Sequence, residues 1–210
     1  VHWSRMLAGN DGGPLVGNGE LSCFLDENGV MHDFTPLAGR PMPRLYWAGR
    51  RLQGHQRPMV PFGFFNAAVS WEWMESTRWS QSLDMRRGVV SSLHERGKGI
   101  ERTETVLLLD RNLIAVHKHV ENIKGSGAVT FSFRLCPPSS SGVPEGLSLT
   151  GGGKSDDGAW ISYRLDGVVT YLGRVALWAD RPCEARWIAN EITLRVPVKT
   201  ASTSRICPSW

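Results

Sequence analysis

Glu104-Thr105-Val106-Leu107-Leu108-Leu109-Asp110-Arg111-Asn112-Leu113-Ile114-Ala115-Val116-His117-Lys118-His119-Val120 is the stretch on which the fold class turns. Its apolar count alone suits an amphipathic helix. Asp110-Arg111-Asn112 interrupts it with turn chemistry, however, and leaves two pieces of strand length, 100–109 and 113–121. The same pattern extends outward. Segments 64–74, 79–85, 89–94 and 129–136 are each rich in β-branched or aromatic residues and bounded by Gly, Pro, Asn or Asp. Leu21-Ser22-Cys23-Phe24-Leu25 and Val30-Met31-His32-Asp33-Phe34 flank Asp26-Glu27-Asn28-Gly29, where Asn-Gly readily takes the positive φ of a tight hairpin turn. Asp166-Gly167 marks a second hairpin, between 160–164 and 168–172. Ile192, Leu194 and Val196 alternate toward a core. Many short strands, regular turns and almost no capped helical pattern predict an all-β class, a large antiparallel β-sandwich with few or no helices.

The chain has 210 residues, 41% hydrophobic and 21% charged, which suits one domain spanning 1–210. No apolar run approaches the roughly eighteen residues of a membrane span, so no membrane partner is expected. Val1 begins no charged-then-apolar leader, and the missing starting Met suggests a trimmed or excised chain. The compartment therefore stays open between periplasmic or secreted and cytoplasmic. The net charge of +4 comes mostly from scattered Arg, with only Arg50-Arg51 and Arg86-Arg87 adjacent. A nucleic-acid face needs a clustered stripe, so none is expected. Cys23, Cys136, Cys183 and Cys207 share no CxxC spacing, which argues against zinc. Their even number permits disulfides in an oxidising compartment, while buried free thiols are the blander reading.

Several motifs tempt and fail. Gly151-Gly152-Gly153-Lys154-Ser155 has the end of a phosphate cradle, but Ser148 stands where its first Gly belongs and Asp156-Asp157-Gly158 makes a turn where a helix must begin. Gly17-Asn18-Gly19 opens like a dinucleotide fingerprint, yet Ser22 occupies the third Gly position, and the glycines more simply turn the backbone into a strand. His117 and His119 share a strand face without an evident third metal ligand. No Gly-x-Ser-x-Gly elbow occurs, and Asp84, Glu104 and Asp110 read as residues that fix turns or strand ends. No catalytic residue, cofactor or metal is assigned.

Aromatics carry the remaining signal. Trp71 and Trp73 alternate with Val69 on one sheet face, which favours burial. Segment 36–61 reads instead as a long connection loaded with Pro, Arg and aromatic residues, and such loops are commonly functional. Within it Tyr46 and Trp47 offer flat stacking surfaces, and Arg44, Arg50, Arg51 and His55 offer donors for sugar hydroxyls. The competing reading packs Tyr46 and Trp47 onto the sandwich. Segment 137–146, rich in Ser, Pro and Gly, reads as an exposed connector.

Gly17-Asn18-Gly19, Leu83-Asp84-Met85-Arg86-Arg87-Gly88, and Thr103-Glu104-Thr105 followed by Asp110 and Asn112-Leu113-Ile114-Ala115-Val116 together carry a resemblance. They are similar to the N-terminal β-sandwich domain of maltose and kojibiose phosphorylases and related glycoside hydrolases, and equally to the leading domain of bacterial α-L-fucosidases. The similarity runs discontinuously over 14–120 and more weakly beyond. It implies a twisted, galactose-mutarotase-like super-sandwich that packs against an (α/α)₆ barrel, supports homodimers in some members, and lends a loop to the sugar pocket. The barrel supplies the general acid, and this chain ends before any helical repeat, so no catalytic residue transfers. The resulting expectation is a non-catalytic domain of a glycoside hydrolase or phosphorylase, with carbohydrate and a barrel domain or chain as partners. A stand-alone carbohydrate-binding module and a structural interaction domain are the alternatives.

Overall fold

The computed structural model describes residues 2–3, 14–30, 45–48, 59–70, 78–110, 112–122, 126–136, 146–166 and 170–199. They form fifteen strands and, among the described residues, no helix. In chain order these are β1 (His2–Trp3), β2 (Leu15–Gly17), β3 (Leu21–Phe24), β4 (Leu45–Ala48), β5 (Met59–Val69), β6 (Arg78–Asp84), β7 (Val89–Arg96) and β8 (Gly99–Leu107). There follow β9 (Ile114–Glu121), β10 (Ser126–Leu135), β11 (Leu147–Lys154), β12 (Gly158–Leu165), β13 (Tyr171–Trp178), β14 (Glu184–Ile188) and β15 (Glu191–Lys199). All pair antiparallel, in three sheets ordered β1-β6-β7-β8-β9, β14-β15-β10-β5-β4-β3-β2 and β11-β12-β13. The class is the all-β sandwich expected from the strand pattern.

Segment 100–121 splits as expected, into β8 and β9 joined by a short connection in which Leu108 N donates to Leu113 O at 3.0 Å. The seven-stranded sheet is the centre of the molecule. Ile192, Leu194, Phe133, Phe62 and Leu25 on or beside it are buried with Ile161 and Leu165 of β12, so the three-stranded sheet covers its β10-β15-β14 end. At the other end β2 lies against β8, and Val90 and Leu107 of the five-stranded sheet join the same core. Burying one face of each sheet against the next removes apolar surface from water while the other face stays solvated, which is why β7 and β8 alternate so regularly.

Two expectations are corrected. Segment 36–61 is not one long loop: Leu45–Ala48 is an interior strand between β3 and β5, and residues 59–61 already belong to β5. Leu-Tyr-Trp-Ala has the branched and aromatic content of a strand, and Pro61, which cannot donate to a ladder, sits opposite Tyr46 beside a register shift between Leu45 and Tyr46. The turn at Asp26 to Gly29 forms, with Gly29 N donating to Asp26 O at 3.0 Å and Gly29 at φ 73°, but β3 takes β2 and β4 as its partners. Residues 31–34 lie outside the described residues, as do Trp71, Trp73, Gly167, Cys207, the connector 137–145 and the segment after 199.

Candidate functional site

Of the six residues read as a sugar site, Tyr46 and Trp47 lie on β4, opposite Ser22 and Leu21 of β3, while Arg44, Arg50, Arg51 and His55 lie outside the described residues.

The polar groups that the structure does bring together form a seam on the inner face of the five-stranded sheet. Register places Gln81, Ser92, Thr103 and Lys118 in one row across β6 to β9, and Trp79, His94 and Glu101 in the next. This face receives the turn at 26–29. Gln81 Nε2 donates to Asp26 O at 2.7 Å and to Ser92 Oγ at 2.8 Å, Trp79 Nε1 donates to Glu27 O at 2.8 Å, and Thr105 Oγ1 donates to Gly29 O at 2.5 Å. His94 Nε2 meets Glu27 O at 3.2 Å, so the Nε2-protonated tautomer is the one that fits, leaving Nδ1 as a buried acceptor without a partner. The turn's carbonyls thus exchange water for four side-chain donors, which locks one sheet to the other.

Glu101 and Lys118 form a buried ion pair in this seam, with Arg96 Nε 3.7 Å from the second Glu101 oxygen. Burial holds the His94 imidazole below its ordinary 6.5 despite the Glu101 charge and the Glu27 carbonyl, which favour its protonation. Asp26, also buried and beside the Glu27 charge, is pushed up to about 6, although Asn28 and Val30 donate to its carboxylate. Burial raises the Cys23 thiol to about 12, as suits a small core residue rather than a nucleophile. Perturbed titration marks many active sites, but His94 at 1% and Glu101 at 3% exposure meet no solvent, so the seam is an anchor rather than a reaction centre.

At one end of the same sheet, the phrases that carry the family resemblance come together. Asn18 Oδ1 accepts from Glu20 N at 3.0 Å and Leu21 N at 2.8 Å, while its Nδ2 donates to Leu108 O and Asn112 Oδ1, both at 3.1 Å. Asn112 Nδ2 in turn donates to Glu20 Oε2 at 2.9 Å. The β6-β7 turn stands at this end too, where Asp84 Oδ1 accepts from the amides of Arg86 and Arg87 at 3.0 and 3.1 Å. Asp84 therefore fixes a turn, as its sequence context suggested. Met85 and Leu109 project from these two turns at 76% and 82% exposure.

His117 is exposed and His119 partly exposed, each beside one carboxylate: His117 Nδ1 lies 3.7 Å from Glu104 and His119 Nε2 lies 2.6 Å from Glu121. Among the described residues, no group of three or more His, Cys, Asp or Glu side chains is placed to hold a metal. The failed phosphate-loop motif is strand β11 followed by a turn, in which Ser155 N donates to Gly158 O at 2.7 Å.

Sequence reasoning missed the anchoring seam. Gln81, Ser92, His94, Glu101 and Thr103 alternate along their strands just as solvent-facing residues do, and only the docking of the 26–29 turn turns that polar face inward. No protein-family model matches this chain, and no curated protein sequence matches it.

Proposed function

We propose that the chain is the non-catalytic β-sandwich domain of a glycoside hydrolase or glycoside phosphorylase, supporting an (α/α)₆ barrel that holds the catalytic acid. The observation that carries this reading is the junction built by Asn18. It ties Gly17-Asn18-Gly19 to Leu108 and Asn112, ninety residues away in the chain, so two of the three family-like phrases are hydrogen-bonded to each other. The third forms the neighbouring turn. The turn residues of these phrases gather at one rim, beside exposed Met85, Leu109, Arg86 and Arg87, and exposed apolar side chains next to cations are suited to covering by another domain. The all-β fold and the sealed state of the polar seam agree with a scaffold that performs no chemistry itself.

The test compares the 210-residue chain with the longer, barrel-containing polypeptide that this proposal requires, using a panel of chromogenic glycosides with and without phosphate. The chain alone is expected to give no turnover. The longer polypeptide is expected to cleave, and Met85→Asp with Leu109→Asp is expected to cut that activity at least about tenfold while the isolated chain keeps its melting temperature, since a central apolar contact is commonly worth more than 1.4 kcal/mol. Turnover by the chain alone, or undiminished activity in the double variant, overturns the proposal.

A further inference from the structure

The three sheets end, among the described residues, on six edge strands: β1 and β9, β14 and β2, β11 and β13. An edge offers a row of unpaired amides and carbonyls to any other strand, and folds blunt it by shortness, bulges, Pro or charge. β1 and β2 have two and three residues. β14 has five and carries the Glu184–Arg186 ion pair. β9 carries Lys118, Glu121 and two His, and β11 is broken by a register shift between Leu149 and Gly151 and ends on Lys154. β13 has none of these devices. Tyr171-Leu172-Gly173-Arg174-Val175-Ala176-Leu177-Trp178 pairs with β12 through all eight residues without a shift, and contains no Pro, Lys, Asp or Glu.

This edge is also apolar where edges are ordinarily charged. The outward residues of β13 are Leu172, Arg174, Ala176 and Trp178, with Leu172 77% and Trp178 60% exposed. Arg174, the single charge, is turned inward toward β12. It donates to Ser162 Oγ at 3.3 Å and places its guanidinium carbon 5.8 Å from the Trp160 ring centroid.

We propose that β13 pairs with β13 of a second copy of this chain, antiparallel about a two-fold axis at Val175, joining two three-stranded sheets into one of six strands. Residues opposed across an antiparallel pair lie on the same face, so the allowed registers differ by slides of two residues. With the axis at Val175, Leu172 opposes Trp178 of the copy at both ends, Arg174 opposes Ala176, and seven residues of each strand are paired. With the axis at Arg174, two guanidinium groups oppose each other, which is destabilising. With it at Gly173 or Ala176 only five residues pair, and Trp178 or Leu172 stays in water. Exposed Asp156, Asp157 and Asp180 cluster beyond Trp178, and the antiparallel arrangement sets the two copies' clusters at opposite ends of the paired strands. The strand that meets this edge with an apolar residue at each end and no charge against Arg174 is therefore β13 itself. The contact is about 24 Å long and 10 Å deep, well below the roughly 800 Å² per side of a stable complex, so the dimer is a weak one. It lies on a different sheet from Met85 and Leu109 and does not depend on the scaffold reading.

The experiment follows the 210-residue chain by sedimentation velocity between about 5 and 500 µM. Dimers that half-form near about 100 µM are expected, the scale of a small transient interface. Ala176→Lys changes an exposed position and sets Lys opposite Arg174 twice across the axis, and it is expected to weaken dimerisation at least about tenfold. Ala115→Lys, exposed on the β9 edge, is expected to leave it unchanged. Both variants are expected to keep the parent's melting temperature in dilute solution. Cross-linking in oxidised glutathione reads the register. Directly opposed residues lie about 4.5–5.5 Å apart at Cα, within disulfide reach. Leu172→Cys mixed with Trp178→Cys is expected to give a cross-linked dimer containing one chain of each, and either variant alone only the background set by the native cysteines. A chain that stays monomeric to about 500 µM, a dimer that survives Ala176→Lys, or cross-linking no better in the mixture than in either variant alone overturns the inference.

Discussion

His94 and Asp26 sit on opposite sides of the junction between two sheets and respond to acid in opposite senses. His94 is held neutral by burial, with its folded value below the ordinary 6.5. The unfolded chain takes up that proton first, so this group's contribution to stability is lost as pH falls below about 6.5. Asp26 has a folded value of about 6 against an ordinary 3.8, so its contribution is fully present below 3.8 and is lost as pH rises through about 6. The two slopes oppose each other just below about pH 6, where both groups titrate between their folded and unfolded values. Asp26→Asn removes the offset, and its melting temperature is expected to fall more steeply over that interval than that of the parent chain. His94→Gln removes the other slope, and its profile is expected to be flatter than the parent's or to rise on acidification. Thermal denaturation at half-unit pH steps checks both, and parallel profiles for all three chains would refute the assignment. Sequence alone offered His94 and Asp26 as ordinary strand and turn residues, because nothing local tells which of two alternating faces will be covered.

At the scale of elements, strand existence was legible and strand neighbours were not. Branched and aromatic runs bounded by turn residues located β6 to β10, β12 and β15 within a few residues, since side-chain period and turn chemistry are properties of the local chain. The strand at Leu45–Ala48 escaped notice because Pro and Arg around it outweigh four residues, and what makes it a strand is the pairing it receives from both β3 and β5. The same logic applies to Asn18. Its side chain looked like part of a glycine-rich turn, and it does shape that turn by accepting from Glu20 and Leu21. Its amide also clamps the β8-β9 connection, a contact that exists only in three dimensions. Asn18→Ala, which removes hydrogen bonds to both elements, is expected to cost about 1–3 kcal/mol in denaturant unfolding. Asn112→Ala, which spares the Glu20 and Leu21 contacts, is expected to cost less. Equal costs would place the stabilisation in the clamp alone.

At the scale of the whole molecule, one core runs from Val16 and Leu25 through Phe62 and Phe133 to Ile161, Leu165 and Ile192, and three sheets contribute to it. A shared core couples the sheets, so the chain is expected to unfold in one step. Leu165→Ala empties a fully buried position on the three-stranded sheet and is expected to cost about 2–5 kcal/mol. Its effect should appear equally in the strand signal and in tryptophan fluorescence, and midpoints that separate would show the sheets to be independent units. The sequence by itself determined the class: period-two alternation and turn residues act over a few neighbouring positions, and they specify strands wherever the chain later folds. Tertiary structure decided everything that depends on what covers a face. It turned the polar row of Gln81, Ser92 and Thr103 inward by seating a turn on it, left Trp178 exposed, and joined Asn18 to Asn112. Alternation presents two faces to the rest of the molecule, and only the packing of sheet on sheet selects which one meets water.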